Sequence, residues 1–430
     1  MSAELVALLA DREIGRVQRD KRGRLVFLYA EAWREAPEAH PLSLSMPLAA
    51  AEHGHAITEA FLWGLLPDNE AILSRWASRF QVSARNPFAL ISHVGEDCAG
   101  AVQFVGPERL DALRSAEPEP VEWLDEHVVA ERLRLLRADH SAWRTPRDTG
   151  QFSLAGAQPK TALLLEGERW GIPSGRTPTT HILKPPTGAF DGHAENEHFC
   201  LALARRLGLP TASSRILHFE DEIAIVIERY DRRRSDSGIL RVHQEDVCQA
   251  LGVPPMRKYE NEGGPGASAI IELLRSHSSD REEDVATFLD ALGFNWLVGG
   301  TDAHAKNYAL LIASAGRVRL APLYDLASAL PYDDTQLQKL KLAMKIGPDY
   351  RLRDIGAREW RRLAKSVRVE PDALLQRIAD LAARLPDEAA SLRERLGAEG
   401  LEHDVIARLA DRLAARAVDC HKALGDQDVR

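Results

Sequence analysis

Residues 294–325, FNWLVGGTDAHAKNYALLIASAGRVRLAPLYD, constrain the fold more than any other stretch of the chain. Val285, Phe288, Leu289, Leu292 and Trp296 recur at helical spacing just upstream, so a buried helix runs into Gly299 and Gly300 and stops. The polar group Thr301 to Asn307 is then presented on a loop directly after a rigid core helix. Tyr308 to Ile312 reads as a strand, Ser314-Ala315-Gly316 as a turn, and Val318 and Leu320 alternate with Arg317 and Arg319 on the return strand. A loop, a hairpin and a second acidic turn therefore bring Asp302, Asn307 and Asp325 to one end of the same unit.

That spacing has a chemical use. An Asp, an Asn five positions on, and a further Asp beyond a short hairpin is the layout of a phosphotransferase catalytic loop with its metal-holding aspartate. Asp302 would accept the proton of the attacking hydroxyl. Asn307 and Asp325 would offer hard oxygen ligands suited to Mg2+ carrying nucleotide phosphates. Taken singly, each of the three could merely cap a turn or a helix; the order and the setting favour the chemical reading.

Composition narrows the alternatives. At 430 residues the chain has room for two or three domains, and no apolar run approaches the ~20 residues that span a bilayer. The opening MSAELVALLADREIG reads as a first strand and not as a signal peptide. The four cysteines lie far apart without a CxxC pair, and the fifteen histidines include no HExxH, which argues against a zinc site or a disulfide scaffold. A cytoplasmic, reduced protein without membrane contact is expected. The formal net charge of −9 leaves nucleic acid only a local patch, and Arg351, Arg353, Arg358, Arg361, Arg362 and Lys365 form the densest basic cluster. A solvated face explains that cluster more simply than phosphate contacts.

Upstream segments supply the parts that the loop lacks. Residues 1 to about 105 read as an antiparallel meander (Leu5–Leu9, Ile14–Val17, Leu25–Tyr29), an extended PLSLSMPL segment, and two helices around Leu66-Pro67-Asp68-Asn69. A polar linker over Pro107–Pro120 and helical spacing at 122–137 follow. A second region starts near Arg147, where Ser153-Leu154-Ala155-Gly156-Ala157-Gln158-Pro159-Lys160 forms a small-residue turn before a strand. Its backbone N–H groups could approach phosphate oxygens, and the hydroxyl of Ser153 would be a target for phosphorylation beside them. The strand TTHILK ends on Lys184 and is followed by a helix from Glu195 to Leu207, so an ion pair between Lys184 and Glu197 is expected. The hairpin Ile216–Ile227 runs into Glu228-Arg229-Tyr230-Asp231 and a polar RRRSDSG connector, where an adenine ring could meet backbone groups. From about 239 the chain reads as helical: 243–251, 268–276, 285–299, 356–367, 371–384 and 403–422.

Together these blocks resemble the HipA family, the toxin kinases of bacterial HipBA-type toxin–antitoxin systems. The resemblance is collinear over nearly the whole chain and rests on SLAGAQPKTALL (153–164), PTTHILK (178–184), ENEHFCLALARRLGL (195–209), ERYDR (228–232), QEDVCQALG (244–252), KYENEGGPG (258–266), GGTDAHAKN (299–307) and PLYDLASA (322–329). PLSLSMPL and LLPDNE are similar to the family's amino-terminal subdomain.

The resemblance implies an α+β, two-lobed protein-kinase-like fold with an extra β-rich N-terminal subdomain and an all-helical C-terminal lobe. The expected segments are 1–106, 107–238 and 239–430. It implies an ATP- and Mg2+-dependent serine/threonine protein kinase with Asp302 as catalytic base and Asn307 and Asp325 as metal ligands. Lys184 is the implied phosphate lysine, and Glu228 and Tyr230 fall in the adenine-binding linker. Ala155, Gly156, Ala157, Gln158 and Lys160 of the phosphate loop, with His304 and Lys306 beside the catalytic Asp, complete the nucleotide-binding candidates. Ser153 matches a serine that such kinases phosphorylate on themselves to switch off. Implied partners are a HipB-like helix-turn-helix antitoxin, operator DNA only through that complex, and a protein substrate such as an aminoacyl-tRNA synthetase, glutamate–tRNA ligase first. Two other readings compete: an antitoxin-bound co-repressor with secondary or lost kinase activity, and a small-molecule kinase.

Overall fold

The computed structural model describes residues 3–114, 121–139, 142, 153–174, 177–186, 191–236, 238–332 and 337–425. The expected start of the second region near Arg147, residues 115–120 of the expected linker and 187–190 of the loop after Lys184 lie outside them. The chain forms two compact units, one of 1–185, 217–256 and 309–318, the other of 186–216, 257–308 and 319–430. It enters each unit three times, so no single cut along the sequence separates them.

The first unit is sheet-rich. One antiparallel sheet runs, in spatial order, Glu52–His53, Leu25–Tyr29, Arg12–Arg19, Ala3–Leu9 and Val102–Val105, with a bulge between Ala7 and Leu8. Alternation of apolar residues along these strands buries Leu5, Val17, Phe27 and Phe104 against the helices His55–Gly64, Glu70–Phe80 and Pro87–Val94. A second antiparallel sheet orders Glu222–Glu228, His181–Lys184, Thr161–Glu166, Arg169–Ile172 and Glu122–Leu124, and the helix Glu126–Ala138 packs Val129 and Leu133 on it.

Several local readings are corrected. Residues 122–124 pair as a strand, and Asp125 caps the helix that starts at Glu126. The first part of the expected linker is the helix Pro107–Arg114. The polar connector after Asp231 is a two-stranded ribbon, Arg232–Ser235 with Gly238–Arg241. The expected helix 243–251 is a strand, His243–Asp246, followed by a single helical turn, Val247–Ala250. The strand is set by pairing with Ala309–Ile312, and the turn by a reciprocal cap between Asp246 and Gln249.

Two buried polar assemblies hold this unit together. The Arg229 guanidinium reaches Asp231 at 2.8 Å, Thr179 Oγ1 at 2.8 Å and the Cys98 carbonyl at 2.8 Å. Arg232 reaches Asp97 at 2.8 Å, Arg241 lies 3.2 Å from Asp97, and the Gly100 N–H donates to Asp231 at 2.7 Å. Burial opposes ionisation of Asp97 and Asp231, but the surrounding arginines outweigh it and hold both carboxyls below their usual range. The second assembly seats PLSLSMPL. Ser43 and Ser45 donate to the Gln249 carbonyl at 3.2 and 2.8 Å, the Leu44 N–H donates to Glu245 Oε1 at 2.8 Å, and His243 Nε2 meets the Leu42 carbonyl at 2.8 Å. Burial pushes the Glu245 carboxyl up to about 8 and the His243 imidazole down to about 3.

The second unit is mostly helical: His193–Arg206, Ala267–His277, Arg281–Val298, Ala357–Ser366, Pro371–Ala398 and Asp404–Gly425, with a small hairpin Lys341–Ile346 and Asp349–Arg351. Phe288, Leu292 and Trp296 of the central helix are buried as their spacing requires, and Trp296 packs edge-on to Trp360. The fold class is the expected α+β one, sheet-rich toward the N-terminus and helical toward the C-terminus. Among the described residues no helix is long and apolar enough to cross a membrane.

Candidate active site

The end of the helix Arg281–Val298 is the platform of the site. Gly299 takes φ +66°, and a Cβ on Gly300 would sit 2.2 Å from Asn295 Oδ1, so both glycines are needed for the chain to leave the helix here. The last carbonyls of a helix lack intrahelical donors, and here they are satisfied. Gly300 N–H donates to Asn295 O, Arg416 to Trp296 O (2.7 Å) and Leu297 O (3.1 Å), and Ser328 Oγ to Val298 O (2.6 Å). At its other end Asp284 accepts from the Leu320 N–H at 2.8 Å and pairs with Arg319, which fixes the return strand of the hairpin. The loop thus starts from a rigid base.

Asp302 is exposed. Its carbonyl accepts from the His304 N–H at 2.8 Å and from Asn307 Nδ2 at 3.0 Å, so the Asn307 amide is oriented and its Oδ1 is presented as a ligand-type oxygen. Asp302 Oδ1 accepts from the Tyr259 hydroxyl at 2.6 Å. Tyr324 Oη donates to the Lys306 carbonyl at 2.6 Å, which ties the 322–325 turn to the loop next to Asn307. Asp325 stands at φ +51°, a left-handed conformation that Asp tolerates. Just beyond it the backbone is clamped. Asn196 Nδ2 donates to Ser328 O, Ser328 N–H donates to Asn196 Oδ1, and Ala329 N–H donates to Gly299 O. Asp302, Asn307 and Asp325 therefore share one tied assembly, while the side chains of His304 and Lys306 are buried beneath it.

As a donor set the side chains of Asp302, Asn307 and Asp325 are of the hard-oxygen kind that Mg2+ takes. Two carboxylates and an amide oxygen are too few for a cage of protein ligands, and among the described residues no group of three or more His, Cys, Asp or Glu could hold a metal ion. Mg2+ arriving on nucleotide phosphates needs only one or two carboxylates and keeps the rest of its shell as phosphate oxygen and water.

The remaining candidates lie in the first unit, except Glu197, which is buried in the first turns of His193–Arg206 in the second. Lys184 ends its strand and is buried. The loop Ser153–Lys160 is folded onto LLPDNE: Asp68 N–H donates to Gly156 O at 3.1 Å, and Ser153 Oγ donates to Leu65 O at 2.7 Å. Ser153 is 0% exposed. Gly156 takes φ +102°, and a Cβ there would meet Lys160 Nζ at 2.6 Å; that ammonium donates to Ala155 O at 2.8 Å. Ala157 is exposed, and Ala155, Gly156 and Gln158 are half-buried. Glu228 is exposed and Tyr230 half-buried, with its hydroxyl on Gln244, whereas Arg229, Asp231 and Arg232 of the same block belong to the buried ion cluster.

Comparison with known proteins gives the family of the chain. A sequence model of the HipA N-terminal domain matches residues 5–105, and one of the HipA-like C-terminal domain matches residues 152–389, more than half of the chain. The chain belongs to the HipA family. Among HipA-family proteins, the serine/threonine-protein kinase toxin HipA of Shewanella oneidensis is 30% identical over 418 residues, covering 93% of this chain and 91% of that protein. The Sinorhizobium fredii protein Y4mE is 37% identical over 415 residues, covering 94% and 96%. HipA of Shewanella oneidensis MR-1, solved with HipB and operator DNA, superposes with a TM-score of 0.84 at 27% identity, covering 99% of this chain and 100% of that one.

Sequence reasoning on this HipA-family chain did not single out Tyr259, Tyr324, Asn196 or Ser328. All four stand inside blocks that carry the resemblance, but a tyrosine or serine there reads equally well as packing. Only their hydrogen bonds give them a place in the site.

Proposed function

We propose that this HipA-family chain is an ATP- and Mg2+-dependent serine/threonine protein kinase acting as the toxin of a HipBA-like toxin–antitoxin module. The observation that carries the reading is the assembly in which one exposed carboxylate, Asp302, stands beside an oriented Asn307, with the turn that carries Asp325 tied to the same loop through Tyr324. Asp302 accepts the proton of the attacking hydroxyl. Asn307 and Asp325 would hold Mg2+, which on ATP neutralises the charge of the transferring phosphoryl group. For Lys184, the Ser153–Lys160 loop, His304 and Lys306 the proposed partner is the phosphate chain of the nucleotide, and for the backbone at Glu228 and Tyr230 it is the adenine.

Self-inactivation is part of the proposal. Ser153 is buried with its hydroxyl on the Leu65 carbonyl, so it can accept phosphate only after the loop leaves that seat. A phosphoserine of charge about −1.5 to −2 could not return to it. We further propose a cytoplasmic protein with a HipB-like antitoxin partner, operator DNA reached through that partner, and an aminoacyl-tRNA synthetase as substrate, with glutamate–tRNA ligase the first to test. The co-repressor reading draws less support. Within the basic cluster Arg353 and Arg361 pair with the exposed Asp354 and Asp372, as on an ordinary solvated face, and Arg358 is engaged by the buried Glu359.

Intact-mass measurement after incubation with Mg-ATP tests the reading. Wild type should gain phosphate, mapping to Ser153, and Asp302→Gln should gain none while still binding ATP. A phosphorylated Asp302→Gln would remove Asp302 from the chemistry.

A further inference from the structure

The geometry points to Tyr259 as the positioning residue of Asp302: its hydroxyl fixes the plane of the carboxylate so that Oδ2 faces the incoming substrate hydroxyl. This rests on the kinase reading above and deepens it. The Tyr259 hydroxyl donates to Asp302 Oδ1 at 2.6 Å, within the short range expected for a hydroxyl on an ionised carboxylate. An exposed aspartate on a loop otherwise turns freely about two side-chain bonds. A base that must meet a hydroxyl at hydrogen-bond distance gains rate from being held, by the same logic that orients the base of a catalytic triad through a third group.

The segment that delivers this hydroxyl is built to be stiff. The Tyr259 ring lies edge-on to the buried His304 at 4.9 Å and 80°. The Lys258 carbonyl accepts from the Ala305 N–H at 3.2 Å, so Tyr259 and the Asp302 loop are joined by backbone as well. The Tyr259 carbonyl accepts from the N–H groups of Glu262 and Gly264, closing a tight turn, and Glu260 accepts from the Lys345 N–H at 2.7 Å. The glycines of KYENEGGPG follow from this. Gly263 takes φ +85°, a Cβ on Gly264 would stand 1.9 Å from the Arg257 carbonyl and 2.8 Å from that of Tyr259, and one on Gly266 would strike the Glu260 carboxylate. A whole conspicuous block thereby acquires a task, to hold one hydroxyl on one carboxylate oxygen.

Tyr259→Phe isolates that task, because the ring against His304 remains and only the donor is lost. The test is the rate of phosphate incorporation into the chain over a range of Mg-ATP concentrations, with wild type, Tyr259→Phe and Asp302→Gln in parallel and unfolding curves for each. The expected result is a maximal rate about 10- to 100-fold lower for Tyr259→Phe, with half-saturating ATP within about twofold of wild type. An unchanged or raised maximal rate beside an active wild type overturns the positioning role and leaves the kinase reading standing. A joint fall in rate, ATP affinity and unfolding midpoint makes Tyr259 a structural residue and also overturns it. Absence of Asp302-dependent transfer in wild type overturns the kinase reading, and this inference with it.

Discussion

Asp97 and Asp302 make a useful pair. Both are aspartates on loops beside glycine-containing turns, one in each unit. Asp97 is buried and touched by Arg229, Arg232, Arg241 and Thr179, with its lone pairs committed to structure. Asp302 is exposed and held at its carboxylate by the Tyr259 hydroxyl. A buried carboxylate survives only when fully paired, and full pairing leaves it nothing to offer a substrate. An exposed one held at a single oxygen keeps its chemistry. The density of charged residues in ERYDR looks more like a site than GGTDAHAKN does, yet the denser block is the structural one.

The comparison can be broken from either side. The largest effect belongs to the proposed metal-ligand pair: Asn307→Ala and Asp325→Asn are each expected to lower phosphate transfer by about 10²–10³-fold and to raise the Mg2+ needed for half-maximal rate, with little change in unfolding. Steady transfer rates against Mg2+ concentration check this. On the buried side, Asp97→Asn leaves three arginines short of a counter-charge and should destabilise the chain by about 3–5 kcal/mol, read from denaturant unfolding. Because the folded Asp97 carboxyl is held below its usual range, its contribution is present above the unfolded pKa and is lost as the pH falls toward the folded one.

A smaller, pH-dependent effect sits under PLSLSMPL. His243, pushed down to about 3, favours folding above its unfolded value of about 6.5, and this is lost as the pH falls. Glu245, pushed up to about 8, favours folding fully below its unfolded value, and this is lost as the pH rises toward 8. Stability should therefore peak at mildly acidic pH. Glu245→Gln should flatten the alkaline limb of the unfolding midpoint and leave the acidic limb in place. Least of all, Arg362→Ala with Lys365→Ala, both exposed, should change stability by no more than about 0.5 kcal/mol. A larger loss would contradict the solvated-face reading of the helix Ala357–Ser366.

Much of this was legible before the fold was in hand. The spacing of Asp302, Asn307 and Asp325, the helix that ends at Gly299 and the hairpin Ala309–Leu320 follow from periodicity and turn chemistry. The N-terminal meander does too. What sequence could not show was the partner that each polar residue chooses. HQED carries no strand signal, and only pairing with Ala309–Ile312 makes it one. Arg229 and Asp231 alternate with Glu228 and Tyr230, so which pair turns inward depends on Asp97, more than a hundred residues away in the chain. Tyr259 lies 43 positions from Asp302, and no local pattern announces that contact.

The most direct test of the contrast is the rate of phosphate transfer per folded chain in Asp302→Asn and Asp97→Asn, with Mg-ATP, under conditions where both variants remain folded. Asp97→Asn should transfer at close to the wild-type rate, and Asp302→Asn should be slower by about 10³-fold or more. Near-normal transfer by Asp302→Asn, or its loss only in Asp97→Asn, would contradict the assignment of chemistry to the exposed carboxylate and structure to the buried one.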